Sequence, residues 1–356
     1  MKAMRLVDYG APLALKEVEA PRTTDGVLVK VVAAGVCHTD IHVISGSYDL
    51  GENNLLRMSD RGVRLPMTPG HEIAGEVVDL GAFEGKTAVR EGDRVVVYPW
   101  LGCGACRKCI AGFENMCEVK PASLGIFRDG GYAEYVIVPN PRYLVPAAGL
   151  RAEEAAPLGC SGLTAYSALN KCRLDSDELL VIIGAGGLGT TAIQLAARTT
   201  GAKVVVLDID ETKLSLASGL GAERTMNISG MEKKAVVEAV RKENQGMGAD
   251  AVIDFVGNPV SSGIGFDLLT KQGRLVLVGL FGGAASFPLP LFPLRGAQVI
   301  GSFTGTLTEL SELVQLAANG VVTPVVSGKY RLEEANDVLQ KLARGEVPGR
   351  AILRPY

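Results

Sequence analysis

Five consecutive apolar residues, Leu179, Leu180, Val181, Ile182 and Ile183, run without interruption into Gly184-Ala185-Gly186-Gly187-Leu188-Gly189. The run reads as a strand covered on both faces. A helix is expected over residues 190–199 and a second strand over residues 203–207, ending at Asp208. Strand, tight turn, helix and strand in succession define a parallel βαβ unit, and no other stretch restricts the fold as much. Gly184 makes the turn, Gly186 lets backbone approach a pyrophosphate, and Gly189 lets the helix lie close to the strand. Gly187 and Leu188 complete the turn, and the free N–H groups and dipole of the helix that follows favour phosphate. Asp208 lies nineteen residues past Gly189, placed to bind both hydroxyls of an adenosine ribose. A carboxylate there repels a 2′-phosphate, so NAD is expected over NADP. Lys213, one helical turn further, is expected to reach the same ribose.

A second kind of chemistry lies upstream. The chain has three histidines, and two fall in Cys37-His38-Thr39-Asp40-Ile41-His42. The third opens Gly70-His71-Glu72. Cys37 and His71 pair a soft sulfur with an imidazole nitrogen, a combination that suits zinc; alone, the cluster reads equally as a half-buried loop with an ordinary thiol. The strand around residues 27–32 delivers Cys37 to a sheet end, and Thr39 or Asp40 is expected to cap the helix that follows.

Four of the seven cysteines are bunched: Cys103, Cys106, Cys109 and Cys117. Gaps of three, three and eight residues let four thiolates close around one tetrahedral Zn²⁺. An iron–sulfur cluster is the other chemistry such spacing allows. A closed four-thiolate site has no open position, so its role is structural. Cys160 offers a third ligand for the first metal or is simply buried, and Cys172 reads as a core residue.

Further strands are expected over residues 131–138, 249–256 and 274–280, with helices over 308–319 and 333–344. Val278, Gly279 and Leu280 end one strand near where a nicotinamide would lie. Residues 349–353 read as a strand returning to the first domain. Residues 45–66 form a polar insert, read as an irregular surface excursion or a lid. The uncharged run 275–294 is broken by Pro288, Pro290 and Pro293, so it reads as a strand and loop and not a membrane span. A formal net charge of -3 gives no reason to expect nucleic acid or an anionic membrane as partner. The start lacks the apolar core of a signal peptide, and cysteines without one point to a reducing cytoplasm.

With these residues in view, nearly the whole chain resembles a zinc-dependent medium-chain alcohol dehydrogenase. Gly70-His71-Glu72 with Gly75 and Gly81 is similar to that family's zinc signature, the Cys103–Cys117 cluster to its structural-zinc lobe, and Gly184 to Gly189 to its cofactor turn. The resemblance implies an α/β protein. A GroES-like, mostly-β catalytic domain (residues 1–160 plus 303–356) would carry two Zn²⁺, and a Rossmann NAD-binding domain (residues 161–302) with a doubly wound parallel sheet would be inserted in it. Cys37, His71 and Cys160 match the catalytic ligands, and Glu72 the acid that in some members ligates transiently. Asp40 matches the carboxylate that orients the ligating histidine. Thr39 and His42 match the proton relay, and His38 and Arg350 match positions that meet the pyrophosphate.

The implied reaction is NAD-dependent oxidation of a primary or secondary alcohol to an aldehyde or ketone, and its reverse. The alcohol oxygen would take the open zinc position as an alkoxide, its proton would leave through Thr39, the nicotinamide ribose hydroxyl and His42, and hydride would pass to nicotinamide. Thr39 stands where other members have serine. The long insert is similar to bacterial and archaeal members that are tetramers, so a homotetramer is expected, with a homodimer as the alternative. Trp100, just before the zinc lobe, lines the substrate pocket or packs in the core. The rivals are a zinc polyol or amino-alcohol dehydrogenase on this scaffold and, outside enzymes, a non-catalytic NAD-binding redox sensor.

Overall fold

A computed structural model describes all 356 residues. The chain divides into two compact units. One comprises residues 1–47, 57–163 and 304–356, and the other residues 48–56 and 164–303.

The first unit is built on a mostly antiparallel sheet. Its order is Val326–Arg331, Arg350–Arg354, Val27–Val36, Glu72–Asp79, Arg94–Val97 and Leu144–Pro146, with Tyr135–Val138 also pairing Val27–Val36. The long strand Val27–Val36 is the hub, hydrogen-bonded to three others. Its β-branched residues Val27, Val29 and Val31 alternate into the core, as a strand facing a core on one side requires. Register then places the chemistry. Gly35 lies opposite Glu72 and Val36 opposite Ala351. Cys37, His71 and Arg350 each sit one residue beyond these pairs, so three sequence-distant residues reach one sheet end. The closing helix Ala335–Ala343 buries Ala335, Val338, Leu339 and Leu342, the i, i+3, i+4, i+7 stripe of an amphipathic helix.

The second unit is a six-stranded, fully parallel sheet ordered Arg224–Asn227, Lys203–Asp208, Leu179–Ile183, Ala249–Asp254, Leu269–Leu277 and Gln298–Gly301. Leu179–Ile183 is central and buried at every position. Phe266 packs on Phe287 and Phe292 at centroid distances of 4.8 and 5.1 Å, extending the core beneath the sheet.

Several expectations need correction. Residues 45–66 are not irregular throughout: Ser47–Gly51 and Asn54–Arg57 pair as a hairpin, residues 48–56 cluster with the second unit, and residues 58–66 are turns and coil. Glu52 and Asn53 take the positive φ of its tip, as a tight hairpin turn requires. The helix after the glycine turn starts at Gly187 and not at residue 190. The strand expected over 131–138 begins only at Tyr135. No helix is long and apolar enough to cross a membrane.

Candidate active site

The helix His38–Ser45 starts directly after the hub strand. Cys37 is its N-cap in extended backbone, so neither Thr39 nor Asp40 occupies the cap. Asp40 acts from the third helical position, accepting the Cys37 N–H at 3.0 Å, the return half of a capping box. Asp40 is fully buried. Its other oxygen meets His71 Nδ1 and the Gly70 N–H, both at 3.2 Å. An ionised carboxylate only accepts, so Nδ1 carries a proton in either charge state of the ring, and Nε2 is the nitrogen that offers a lone pair once the ring is neutral. That Nε2 is buried and has no hydrogen-bond partner.

Cys37 Sγ, Cys160 Sγ and a His71 ring nitrogen lie within 4.8 Å of one another, all buried. Cys160 follows the 3₁₀ turn Ala156–Gly159, and Ser161 opens the next helix. The hydrogen bond from Cys160 pushes the Cys37 thiol well below its ordinary range, against burial, with help from Arg350 and His71. The same contact, with burial, pushes Cys160 well up. Burial disfavours charge on His71, but Asp40 and then Cys37 together hold the imidazole well above its usual range. The cluster therefore favours an anionic sulfur facing a positive partner. An orphaned imidazole nitrogen and two thiols fit one tetrahedral Zn²⁺ with an open fourth position.

Glu72 sits behind these groups, fully buried. Its Oε1 accepts the Ser161 N–H at 3.0 Å and faces Arg350 Nη2 at 3.1 Å, while Oε2 has no partner. Burial raises its carboxyl to about 7, opposed first by the Arg350 charge. Arg350 also donates to Ser161 Oγ and to the Val36 carbonyl. Arg350, matched by resemblance to a pyrophosphate position, is thus a buried cation beside Glu72.

Thr39 and His42 are three residues apart on one helical turn, hence on one face, and both are half-buried. Burial lowers the His42 pKa below its usual value. His38 is exposed at the first helical position. Trp100 is buried, donates to the Gly159 carbonyl at 3.1 Å and lies 5.5 Å from the His71 ring. It packs behind the ligand set and fixes the turn that carries Cys160.

The four remaining clustered thiols form a second donor set. Sulfur pairs lie 3.5 Å apart for Cys106–Cys109 and 3.9 Å for Cys103–Cys109 and Cys106–Cys117. A tetrahedron with metal–sulfur distances of about 2.3 Å has edges of about 3.8 Å. Burial opposes charge on Cys117, but N–H groups of Lys120, Cys103 and Val119 bring its thiol down to about 6. Burial pushes Cys109 up to about 12. These spacings fit one closed Zn²⁺ site.

In the second unit Gly184 has φ +97°, and a Cβ on Gly189 would lie 2.1 Å from the Gly184 carbonyl oxygen. The helix Gly187–Thr199 therefore cannot sit so close to its strand with any side chain at 189. Gly186, Gly187 and Leu188 are half-buried at its first turn, where N–H groups lack intrahelical acceptors. The Asp208 carboxylate accepts from Ala185, Ile209 and Asp210 N–H groups at 2.7, 2.7 and 3.1 Å, tying the glycine turn to the second strand. Lys213 lies 4.0 Å from Asp210, so its ammonium stands beside a second carboxylate. Val278 and Gly279 donate to the Asp254 carbonyl, both at 3.0 Å, and Leu280 is exposed beyond the strand end.

Three residues on which this site depends carry no motif: Gly35, Tyr132 and Ser161. A Cβ on Gly35 would lie 1.9 Å from Glu72 Oε2. Tyr132 donates to Asp40 Oδ2 at 2.8 Å. Gly35 two residues before Cys37, and Gly130-Gly131 before Tyr132, were the available signals.

Fold and donors define a class: a parallel dinucleotide-type sheet in one unit, and in the other a three-donor cluster plus a four-thiol lobe. Residues 23–149 match the alcohol dehydrogenase GroES-like domain, and residues 187–319 match the zinc-binding dehydrogenase family. The chain is 43% identical, over the full length of both, to an NAD-dependent alcohol dehydrogenase of Sulfurisphaera tokodaii. It is 36% identical, over 99% of each chain, to an alcohol dehydrogenase of Geobacillus stearothermophilus. The crystal structure of the alcohol dehydrogenase from Aeropyrum pernix superposes with a TM-score of 0.89 at 36% identity over 100% of both chains. The chain belongs to the zinc-dependent medium-chain alcohol dehydrogenase family.

Proposed function

We propose that the protein catalyses NAD-dependent oxidation of a primary or secondary alcohol to an aldehyde or ketone, and the reverse reduction. The observation that carries this reading is the buried Cys37–His71–Cys160 triad with an orphaned imidazole nitrogen, in a chain whose full-length relatives are NAD-dependent alcohol dehydrogenases. Cys37, His71 and Cys160 would hold a catalytic Zn²⁺, and Cys103, Cys106, Cys109 and Cys117 a structural one. Bound at the first site, zinc supplies Lewis acidity that lowers the pKa of an alcohol; NAD supplies the hydride acceptor.

The chain's own residues do the rest. Asp40 holds His71 in the tautomer that leaves Nε2 free. Thr39 accepts the substrate proton as its own hydroxyl proton moves on toward His42, which releases it to water; a lowered pKa keeps His42 neutral and able to accept at neutral pH. Glu72, its carboxyl raised to about 7 by burial and its Oε2 unpartnered, lies behind the sulfurs as the acid that would stand next to the metal. Gly184, Gly186, Gly187, Leu188 and Gly189 seat the pyrophosphate, with His38 contributing. Asp208 and Lys213 select the unphosphorylated ribose, and Val278, Gly279 and Leu280 border the nicotinamide.

We also propose a cytoplasmic homotetramer. All seven cysteines are free thiols, as a reducing compartment maintains them. The strand Gln298–Gly301 is an unpaired sheet edge, and Phe281, Leu289 and Leu294 in the same unit are more than 70% exposed. Open edges and apolar patches of this kind are what subunit association covers.

An NAD-reduction assay across primary, secondary, polyol and amino-alcohol substrates tests the activity. Simple alcohols should be turned over with NAD and not NADP. Cys37→Ala should abolish turnover while NAD still binds; a metal-replete variant that keeps its activity would remove Cys37 from the ligand set.

A further inference from the structure

Asp40 spends its entire accepting capacity inside the protein. Oδ1 takes the Gly70 N–H and His71 Nδ1, and Oδ2 takes the Cys37 N–H and the Tyr132 hydroxyl. A carboxylate offers about four acceptor positions, and all four are used. Three of the donors belong to the segments that carry Cys37 and His71. The fourth, the shortest at 2.8 Å, comes from Tyr132, ninety-two residues along the chain.

Tyr132 is fully buried, and its place is prepared. Gly70 has φ +92°, and a Cβ there would lie 2.3 Å from Tyr132 Cδ1. The glycine before His71 thus leaves the space the tyrosine ring fills. Backbone bonds lock the two segments together: Gly131 N–H to the Gly70 carbonyl at 2.7 Å, and Tyr132 N–H to the Pro69 carbonyl at 3.0 Å. Met4 N–H holds the Tyr132 carbonyl from the other side at 2.8 Å. Burial, and then the Asp40 charge, raise the phenol well above its ordinary range, so it stays a donor.

We propose that Tyr132 is a positioning residue for the metal site: its hydroxyl fixes the Asp40 carboxylate, and through it the orientation and tautomer of His71. The proposal rests on the zinc reading of the Cys37–His71–Cys160 cluster. A buried carboxylate that loses one of its four donors is held less firmly, and one acceptor position is left unsatisfied. Partners one step behind a metal ligand change metal affinity by about 10- to 100-fold when removed. Tyr132→Phe removes only the oxygen and keeps the ring against Gly70.

The test is cobalt titration of the chelator-stripped full chain, read by thiolate-to-cobalt absorption, in wild type, Y132F, D40N and the double variant. The Cys103–Cys117 lobe in the same molecule is the internal reference, and the three-donor step is the one missing in Cys37→Ala. Y132F should bind cobalt at the three-donor site about tenfold more weakly, with an altered d–d band and an unchanged lobe step. The double variant should be no weaker than D40N alone, because Tyr132 acts through Asp40. Y132F within threefold of wild type overturns the proposal, as does additive weakening in the double variant. D40N leaving the step unchanged overturns it without touching the tyrosine's packing, even where Y132F folds poorly. A wild-type chain with no three-donor step overturns the zinc reading itself, a result distinct from the other three.

Discussion

Replacing Arg350 by methionine keeps most of the side-chain volume and removes a buried cation. The guanidinium faces Glu72 Oε1 at 3.1 Å and donates to Ser161 Oγ at 3.2 Å and the Val36 carbonyl at 3.1 Å. It thereby joins the last strand, the hub strand and the turn carrying Cys160. Removing one partner of a buried ion pair costs roughly 3–5 kcal/mol, because the other charge is left uncompensated. That is a large part of the roughly 5–15 kcal/mol that holds a domain folded. The cost should also depend on pH. Burial raises the Glu72 carboxyl to about 7 even with Arg350 lowering it. Without Arg350 the carboxyl keeps its proton to still higher pH. Above pH 7 the variant's folded state then holds a proton that wild type has lost, so its stability falls relative to wild type as pH rises. Trp100 is the chain's single tryptophan, is buried and lies beside His71, so its fluorescence reports unfolding of this unit. Urea unfolding of metal-stripped protein should show a larger loss at pH 8 than at pH 5.5. Adding Glu72→Gln to Arg350→Met should recover part of the loss at pH 8, since no buried carboxyl is left that must hold a proton there. A loss below about 1 kcal/mol at both pH values, or strict additivity in the double variant, would refute a buried compensating pair.

Two further outcomes follow from the same geometry. Asp208→Ser should weaken NAD binding at least tenfold and narrow the preference over NADP, since the repelling carboxylate is gone; equilibrium binding of both cofactors checks this, and an unchanged NAD/NADP ratio contradicts the ribose assignment. His42→Ala should slow turnover by about 10² without stopping it. Because burial lowers the His42 pKa, the limb it contributes to the pH–rate profile should lie below its usual 6.5, and that limb should vanish in the variant.

The parts of this protein that were legible in sequence are those whose chemistry is local. The turn Gly184 to Gly189 announces itself because turn, close helix contact and phosphate approach fall within six residues. The Cys103–Cys117 lobe does so because its four donors share one loop. Cys37, His71 and Cys160 are dispersed, and their meeting depends on strand register and a 3₁₀ turn; the family resemblance supplied what spacing could not. Arg350 has a second relationship that such a transfer did not supply. Its position matched a phosphate contact, but only the pairing of Ala351 with Val36 reveals that it faces Glu72. Gly35, Tyr132 and Ser161 escaped notice because their roles are steric or hydrogen-bonding acts toward residues far away in sequence. Residues 45–66 misled because polarity was read as irregularity, where two short strands and a positive-φ tip make a hairpin.

The central claim is that this chain carries two zinc sites of different kinds. The direct measurement is metal content per chain in purified protein, for wild type and Cys37→Ala. Two equivalents of zinc in wild type and one in the variant, with the remaining ion lost only when the Cys103–Cys117 lobe is altered, is the expected result. One equivalent in both, with no gain on zinc reconstitution and no alcohol turnover, would contradict it and leave the three-donor cluster without a metal role.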